Sequence, residues 1–197
     1  MTLPKDIYPD SGYRLPLPKR EALDEAAKKV FDRYADPKGG TLAGLRGPGG
    51  IRLHSPKLAA TSTGLNRYLR FESGLGGRVR ELAILVTARE HDSDFEWFQH
   101  EKEALKEDVP QAAIDVVKHR RATDGLADAD AAIIQLGREM FGTHKVSAET
   151  FARVHKIFGD RGTVDLVSLM GDYAGTAALL TAFAAQLPEG TPPLLPK

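Results

Sequence analysis

From Ser55 onward apolar residues return every three to four positions, and no stretch shows the alternation of a half-buried strand, so the pattern predicts helices throughout. The expected spans are 56–73, 78–91, 93–107, 110–120, 128–141, 147–158 and 163–186. Ser147 stands where a serine caps a helix start, and Gly142 and Gly159 stand where glycine ends one. Ile133, Leu136, Gly137, Met140 and Phe141 line one apolar stripe, and Phe151, Val154 and Phe158 line another. The segment RELAILVTAREHDS, from Arg80, begins as an ordinary amphipathic helix. The last helix, TVDLVSLMGDYAGTAALLTAFAAQ, is apolar on nearly every face and rich in Ala and Gly, which predicts a deep position with other backbones close against it.

The ends of the chain follow a different pattern. Residues 1–19 carry Pro4, Pro9, Pro16 and Pro18, and the tail from Pro188 carries four prolines, so both read as extended arms suited to lying across a neighbouring subunit. The expected organisation is an N-terminal arm over 1–19, a single all-α domain over 20–187 and a Pro-rich tail over 188–197. EALDEAAKKVFDRYA (21–35) has helical composition. It gives way to DPKGGTLAGLRGPGG (36–50), whose six glycines and two prolines in fifteen residues predict a loop. No Gly-Lys-Ser/Thr follows those glycines and no strand precedes them, so they do not form a phosphate-binding loop.

Composition narrows the chemistry. A length of 197 residues with 42% hydrophobic content suffices for one core, and 27 basic residues against 27 acidic ones leave no field to attract nucleic acid or an anionic membrane. No apolar run matches a signal peptide or a membrane span, which predicts a cytoplasmic protein. Zero cysteines leave carboxylates, histidines and backbone groups to do any chemistry. If 93–107 is helical, Glu96 and His100 share one face four residues apart, close enough for a carboxylate to touch and orient an imidazole. Glu81 lies in line with Leu85 and Ala88 on a face that reads as buried, where a carboxylate needs a partner. Spacing alone equally allows a surface Glu-His pair and a glutamate neutralised by Arg78 or Arg80. His91, His119, His144 and His155 are scattered, so no metal site is expected, and Ser93 with His100 lacks the third member and the elbow of a serine nucleophile.

R-x-R-E-L-A-I-L over 78–85, followed by F-E-W-F-Q-H-x-x-x-A-L over 95–105, resembles the carboxymuconolactone decarboxylase family, which includes the alkylhydroperoxidase D (AhpD) proteins. The resemblance is strongest over 78–109 and extends loosely from LHSP at 53–56 to the final helix. It implies an all-helical, AhpD-like bundle and a homo-oligomer, here a dimer or trimer. Ser93 and Glu96 stand where the peroxidase branch has its two cysteines, while His100 and Glu81 stand at that branch's histidine and glutamate. Neither Ser93 nor Glu96 can form a thiolate or a disulfide, so the resemblance implies no cysteine-type peroxidase activity. The decarboxylase branch also places a glutamate four residues before the histidine. It implies His100 as acid, Glu96 as its partner or alternative proton carrier, and Glu81 as the residue that orients or buffers the pair.

A lactone acid also needs donors for its carboxylate, and Arg46, Arg52 and His54 in and beside the Gly-rich segment are the candidates. Trp97 and Tyr173 are candidate pocket walls, although aromatics at helical spacing also build cores. No cofactor is implied. Two functions remain open: a decarboxylase-like enzyme acting on a small oxygenated, lactone or aromatic-derived acid, and a helical oligomer that binds a small molecule without turnover.

Overall fold

The computed structural model describes residues 3–39 and 41–197, and Gly40 of the glycine-rich stretch lies outside them. All regular structure among the described residues is helical. After a 3-10 turn at Arg20–Ala22 come α1 (Glu25–Ala35), a second 3-10 turn (Gly44–Arg46), α2 (Pro48–Arg52) and α3 (Pro56–Arg67), which runs on into a π turn (Tyr68–Glu72). Then follow α4 (Gly77–Glu90), α5 (Asp94–Lys106), α6 (Gln111–Lys118), α7 (Asp128–Gly137) with a second π turn (Arg138–Thr143), and α8 (Ala148–Ala182). The chain divides into two compact units, one up to Asn66 with Ala178–Pro192, the other Arg67–Ala177 with Pro193–Lys197. The stretch 20–187, expected as a single domain, contributes to both.

In the first unit Asp24 caps α1 by accepting the Ala27 N–H at 2.8 Å. Ala27, Leu53 and Ala59 form a small core with Val30, Phe31, Tyr34 and Leu45 around it. The segment 36–50, expected as a plain loop, contains the Gly44–Arg46 turn and the start of α2. Pro48 supplies a preset φ at the first position of α2. A Cβ on Gly50 would lie 1.9 Å from the Leu45 carbonyl oxygen, so glycine here serves close packing rather than looseness. The N-terminal arm is tied to its own unit. Tyr13 is fully buried, the Arg14 N–H donates to the Phe183 carbonyl at 2.9 Å, and the Gln186 N–H donates to that of Gly12 at 2.8 Å.

The second unit is built round α4, which packs against α5, α6 and α7. Its residues 80–89 are all buried, polar ones included, so this helix is covered on every side where the sequence reads as amphipathic. The final helix differs from expectation in the opposite sense. Leu166, Leu169, Met170 and Tyr173 face the core, but Val164 is 64% exposed, and Gly171 and Gly175 have open space where a Cβ would go. Small residues in a helix permit close packing without requiring it, and among the described residues nothing takes up the offer.

Helix ends follow local chemistry. The Ser147 hydroxyl caps α8 by accepting the Thr150 N–H at 3.1 Å, and Gly159 (φ 66°) kinks α8 where a helix end is expected. Gly142 lies inside the second π turn, and the left-handed residue that closes that turn is His144 (φ 54°). Phe151 is exposed and stacks on His155 instead of joining a core stripe with Val154. The tail, expected as extended, opens with a turn in which the Thr191 N–H donates to the Pro188 carbonyl at 3.0 Å, and further on the Leu194 and Leu195 N–H groups donate to Asp94 Oδ1 at 2.7 and 2.9 Å.

α4 and α7 approach closely at Gly137, where an added Cβ would lie 2.3 Å from Val86 Cγ1 and 2.8 Å from Met170 Cε. Alanine gains up to about 1 kcal/mol in a helix interior, while overpacking a filled core costs about 1–3 kcal/mol. Gly137→Ala should therefore destabilise the protein by roughly 1–2 kcal/mol in urea unfolding, and a stabilised variant would refute this close approach.

Candidate active site

Glu81 projects from the middle of α4 and is fully buried. A lone carboxylate there would lose its hydration with no return, and the surrounding side chains supply the compensation. Arg80 donates from Nε to Glu81 Oε1 at 2.9 Å, and its Nη groups donate to the Arg70 carbonyl and to Glu107 Oε1, both at 2.9 Å. Arg70 Nη2 lies 3.5 Å from the same Oε1. His100, on α5, places Nδ1 2.7 Å from Glu81 Oε2. Of the two arginines expected to neutralise Glu81, Arg80 does so, whereas Arg78 pairs with Asp130 at 2.5 Å.

Burial alone would push the Glu81 carboxyl upward. The hydrogen bond from His100 and that ring's charge, with the bond from Arg80 and the charge of Arg70, outweigh this and bring it down to about 2. Glu81 is thus ionised at neutral pH and can only accept, so His100 must donate from Nδ1. That bond fixes the neutral ring in the tautomer whose Nε2 carries the lone pair, leaving Nε2 as the atom that takes up or gives a proton.

Glu96 lies one turn before His100 on α5, and the two are 3% and 6% exposed. This burial rules out the surface-pair alternative that spacing allows. Because Nδ1 is taken by Glu81, a hydrogen bond from Glu96 to the ring could only address Nε2. Tyr173 meets the His100 ring edge-on, with centroids 5.2 Å apart and planes at 84°. Trp97 is fully buried in the core, with Lys118 Nζ 5.7 Å from its ring centroid. Glu81, Glu96, His100 and Tyr173 thus all belong to the second unit.

Arg46, Arg52 and His54 belong to the first unit. The Arg46 guanidinium packs against Gly12, where a Cβ would lie 2.9 Å from Nη2. His54 Nε2 donates to the Pro16 carbonyl at 3.0 Å, and Arg52 is the half-buried last residue of α2. Arg70 is the site residue that the spacing does not reveal. It precedes the Ser73–Gly76 connection to α4, and no helical period links it to Glu81. Among the described residues no group of three or more His, Asp or Glu side chains is gathered as metal ligands. Among the described residues no helix is long and apolar enough to cross a membrane.

Residues 56–136 match the family model of the Carboxymuconolactone decarboxylase family. That segment holds α3 to α7 up to Leu136, with Glu81, Glu96 and His100 inside it. The matched segment is similar to that family, in agreement with the resemblance carried by 78–109, and the fold is all-helical. No curated protein matches the chain significantly.

Replacing Glu81 by Gln leaves two guanidinium groups without their shared anion and should cost on the order of 3 kcal/mol at neutral pH. The carboxyl sits at about 2 in the folded protein against an ordinary 4.5, so its contribution is present above pH 4.5 and is lost as the pH falls towards 2. Glu139, also held down to about 2, chiefly by its bonds to Gln135 and the Ser147 N–H, titrates in the same window. The difference between wild type and Glu81→Gln therefore isolates Glu81. In urea unfolding this difference should shrink as the pH falls from about 4.5 towards 2, and a difference unchanged over that window would contradict an ionised Glu81.

Proposed function

We propose that this protein is a cofactor-independent lyase that protonates an enolate formed by decarboxylation of a small lactone or aromatic-derived acid. The observation that carries the reading is the buried Glu81–His100 bond, which leaves Nε2 as the one ring nitrogen available for proton transfer. In the step proposed, the bond between carbon and the departing carboxylate breaks, its electron pair enters a conjugated enolate, and carbon dioxide leaves. Protonated His100 then gives the Nε2 proton to the enolate carbon, and solvent restores it. Glu81 stays ionised and acts as a positioning residue, while Glu96 is the ring's partner or an alternative proton carrier. The Tyr173 ring, perpendicular to that of His100, packs against it. With no cysteine in the chain, reduction of hydroperoxides by a dithiol lies outside this reading. A small soluble metabolite as substrate goes with a cytoplasmic location.

One observation favours the alternative, a binding protein without turnover. Arg70 and Arg80 neutralise Glu81 in the manner of a purely structural ion cluster. A screen of lactone acids and aromatic-derived acids for a rise in melting temperature identifies the ligand under either reading, and turnover of that ligand separates them. For the enzyme, His100→Ala and Glu96→Gln should each lower turnover by about 10²- to 10⁴-fold with helical circular dichroism retained. Folded variants with full activity would return the pair to a structural role.

We further propose a homo-oligomer, dimer or trimer, that covers the outer face of α8. Val164, Val167, Gly171 and Gly175 follow one another along that face and are exposed in the single chain. Light scattering should give at least twice the 21.4 kDa of the chain, and Gly171→Leu with Gly175→Leu should lower that mass without loss of helix. A wild-type monomer that remains active would overturn the assembly.

A further inference from the structure

Arg70 is less well satisfied than its neighbours. Its side chain is 15% exposed, on the π turn that ends with the Ser73 N–H donating to the Tyr68 carbonyl at 2.9 Å. Glu81 serves Arg80 and His100 at 2.9 and 2.7 Å, whereas Arg70 approaches an already bonded oxygen at 3.5 Å. Among the described residues, Arg70 Nε is buried with no hydrogen-bond partner. A guanidinium carries five donors in a fixed fork, and a buried donor without an acceptor is desolvated with nothing in exchange. The anions of the cluster therefore satisfy Arg80 and His100 and leave Arg70 wanting an acceptor.

We propose that Arg70 is the anchor for an anionic oxygen of the ligand, a carboxylate that is retained through any reaction. Arg70 Nη2 and His100 Nδ1 approach opposite oxygens of the one Glu81 carboxylate, so an anion on the Arg70 fork lies a single side chain away from the ring. Phe71, 61% exposed, adds the second half of the recognition. The guanidinium carbons of Arg70 and Arg80 lie 5.0 and 5.5 Å from its ring centroid, which sets an exposed aromatic face beside the anchor. An apolar planar group carrying one carboxylate suits this pairing better than a compact inorganic anion, which would use the charge and leave the Phe71 ring in water. π turns recur at functional sites, and this one sets the positions of both Arg70 and Phe71. The assignment rests on the acid-base reading only for what happens to the ligand, because binding at Arg70 needs no turnover.

Benzoate and its neutral isostere benzamide are the probes. Millimolar benzoate should raise the melting temperature of the wild-type protein and benzamide should not. Arg70→Gln should weaken benzoate binding by about tenfold or more, the loss of a charge-assisted hydrogen bond, while His100→Gln should keep it. In protein labelled with ¹⁵N-arginine, the Arg70 Nε–Hε signal, assigned through side-chain correlations, should move saturably with benzoate. This wild-type readout stands even where a variant fails to fold. Absence of benzoate binding, equal response to benzamide, or binding that leaves the Arg70 signal unmoved would each overturn the anchor. Benzoate binding without turnover of any acid would sink the enzyme reading alone, and turnover undisturbed in Arg70→Gln would sink the anchor alone.

Discussion

A carboxylate held in the middle of a helix that is buried on every side is the constraint to which the second unit answers. Glu81 has no access to water, and an ion taken out of water costs several kcal/mol unless close partners return it. The partners come from three places: Arg80 beside it on α4, Arg70 on the π turn before α4, and His100 on α5. Two of them depend on tertiary structure. The charge therefore ties the π turn and α5 to α4, and loosening either would strand an anion in the core.

The same network reaches the ends of these helices. Glu107, which closes α5, accepts from Arg80 and lies against the first turn of α4, so close to Gly77 that a Cβ there would fall 1.7 Å from its Oε2. A negative group at a helix N-terminus is favourable on its own account, and α4 begins at Gly76 with no side-chain cap to compete for the place. Glu107, Arg80 and Glu81 thus form a chain of alternating charge that runs from the surface to the His100 ring. Its geometry fixes which ring nitrogen carries the hydrogen, so fold stability and proton chemistry depend on one set of contacts.

Much of this was legible in the sequence because it depends on local chemistry. The helical period, the Ser147 cap, a break in the helix at Gly159 and the all-α class follow from residues within a few positions of one another. The burial of Glu81 and its rescue by Arg80 were legible too, since they lie on one helix. What escaped depends on contacts across the chain. The spacing of Glu96 and His100 offers an intrahelical bond but does not reveal that Nδ1 bonds Glu81, nineteen residues earlier. Arg70 reaches Glu81 across a connection that carries no period. The outer face of α8 reads as core because Gly, Ala and Val look the same whether or not a neighbour covers them.

Ionised Glu81 holds His100 with its hydrogen on Nδ1. Two-bond ¹⁵N–¹H correlation spectra of the His100 ring, recorded at a pH where the imidazole is neutral, read the tautomer directly. A pyrrole-type Nδ1 and a pyridine-type Nε2 are expected. The reverse pattern, with the hydrogen on Nε2, would mean that Glu81 is protonated or turned away, and the assignment of Nε2 as the proton-transfer atom would fall.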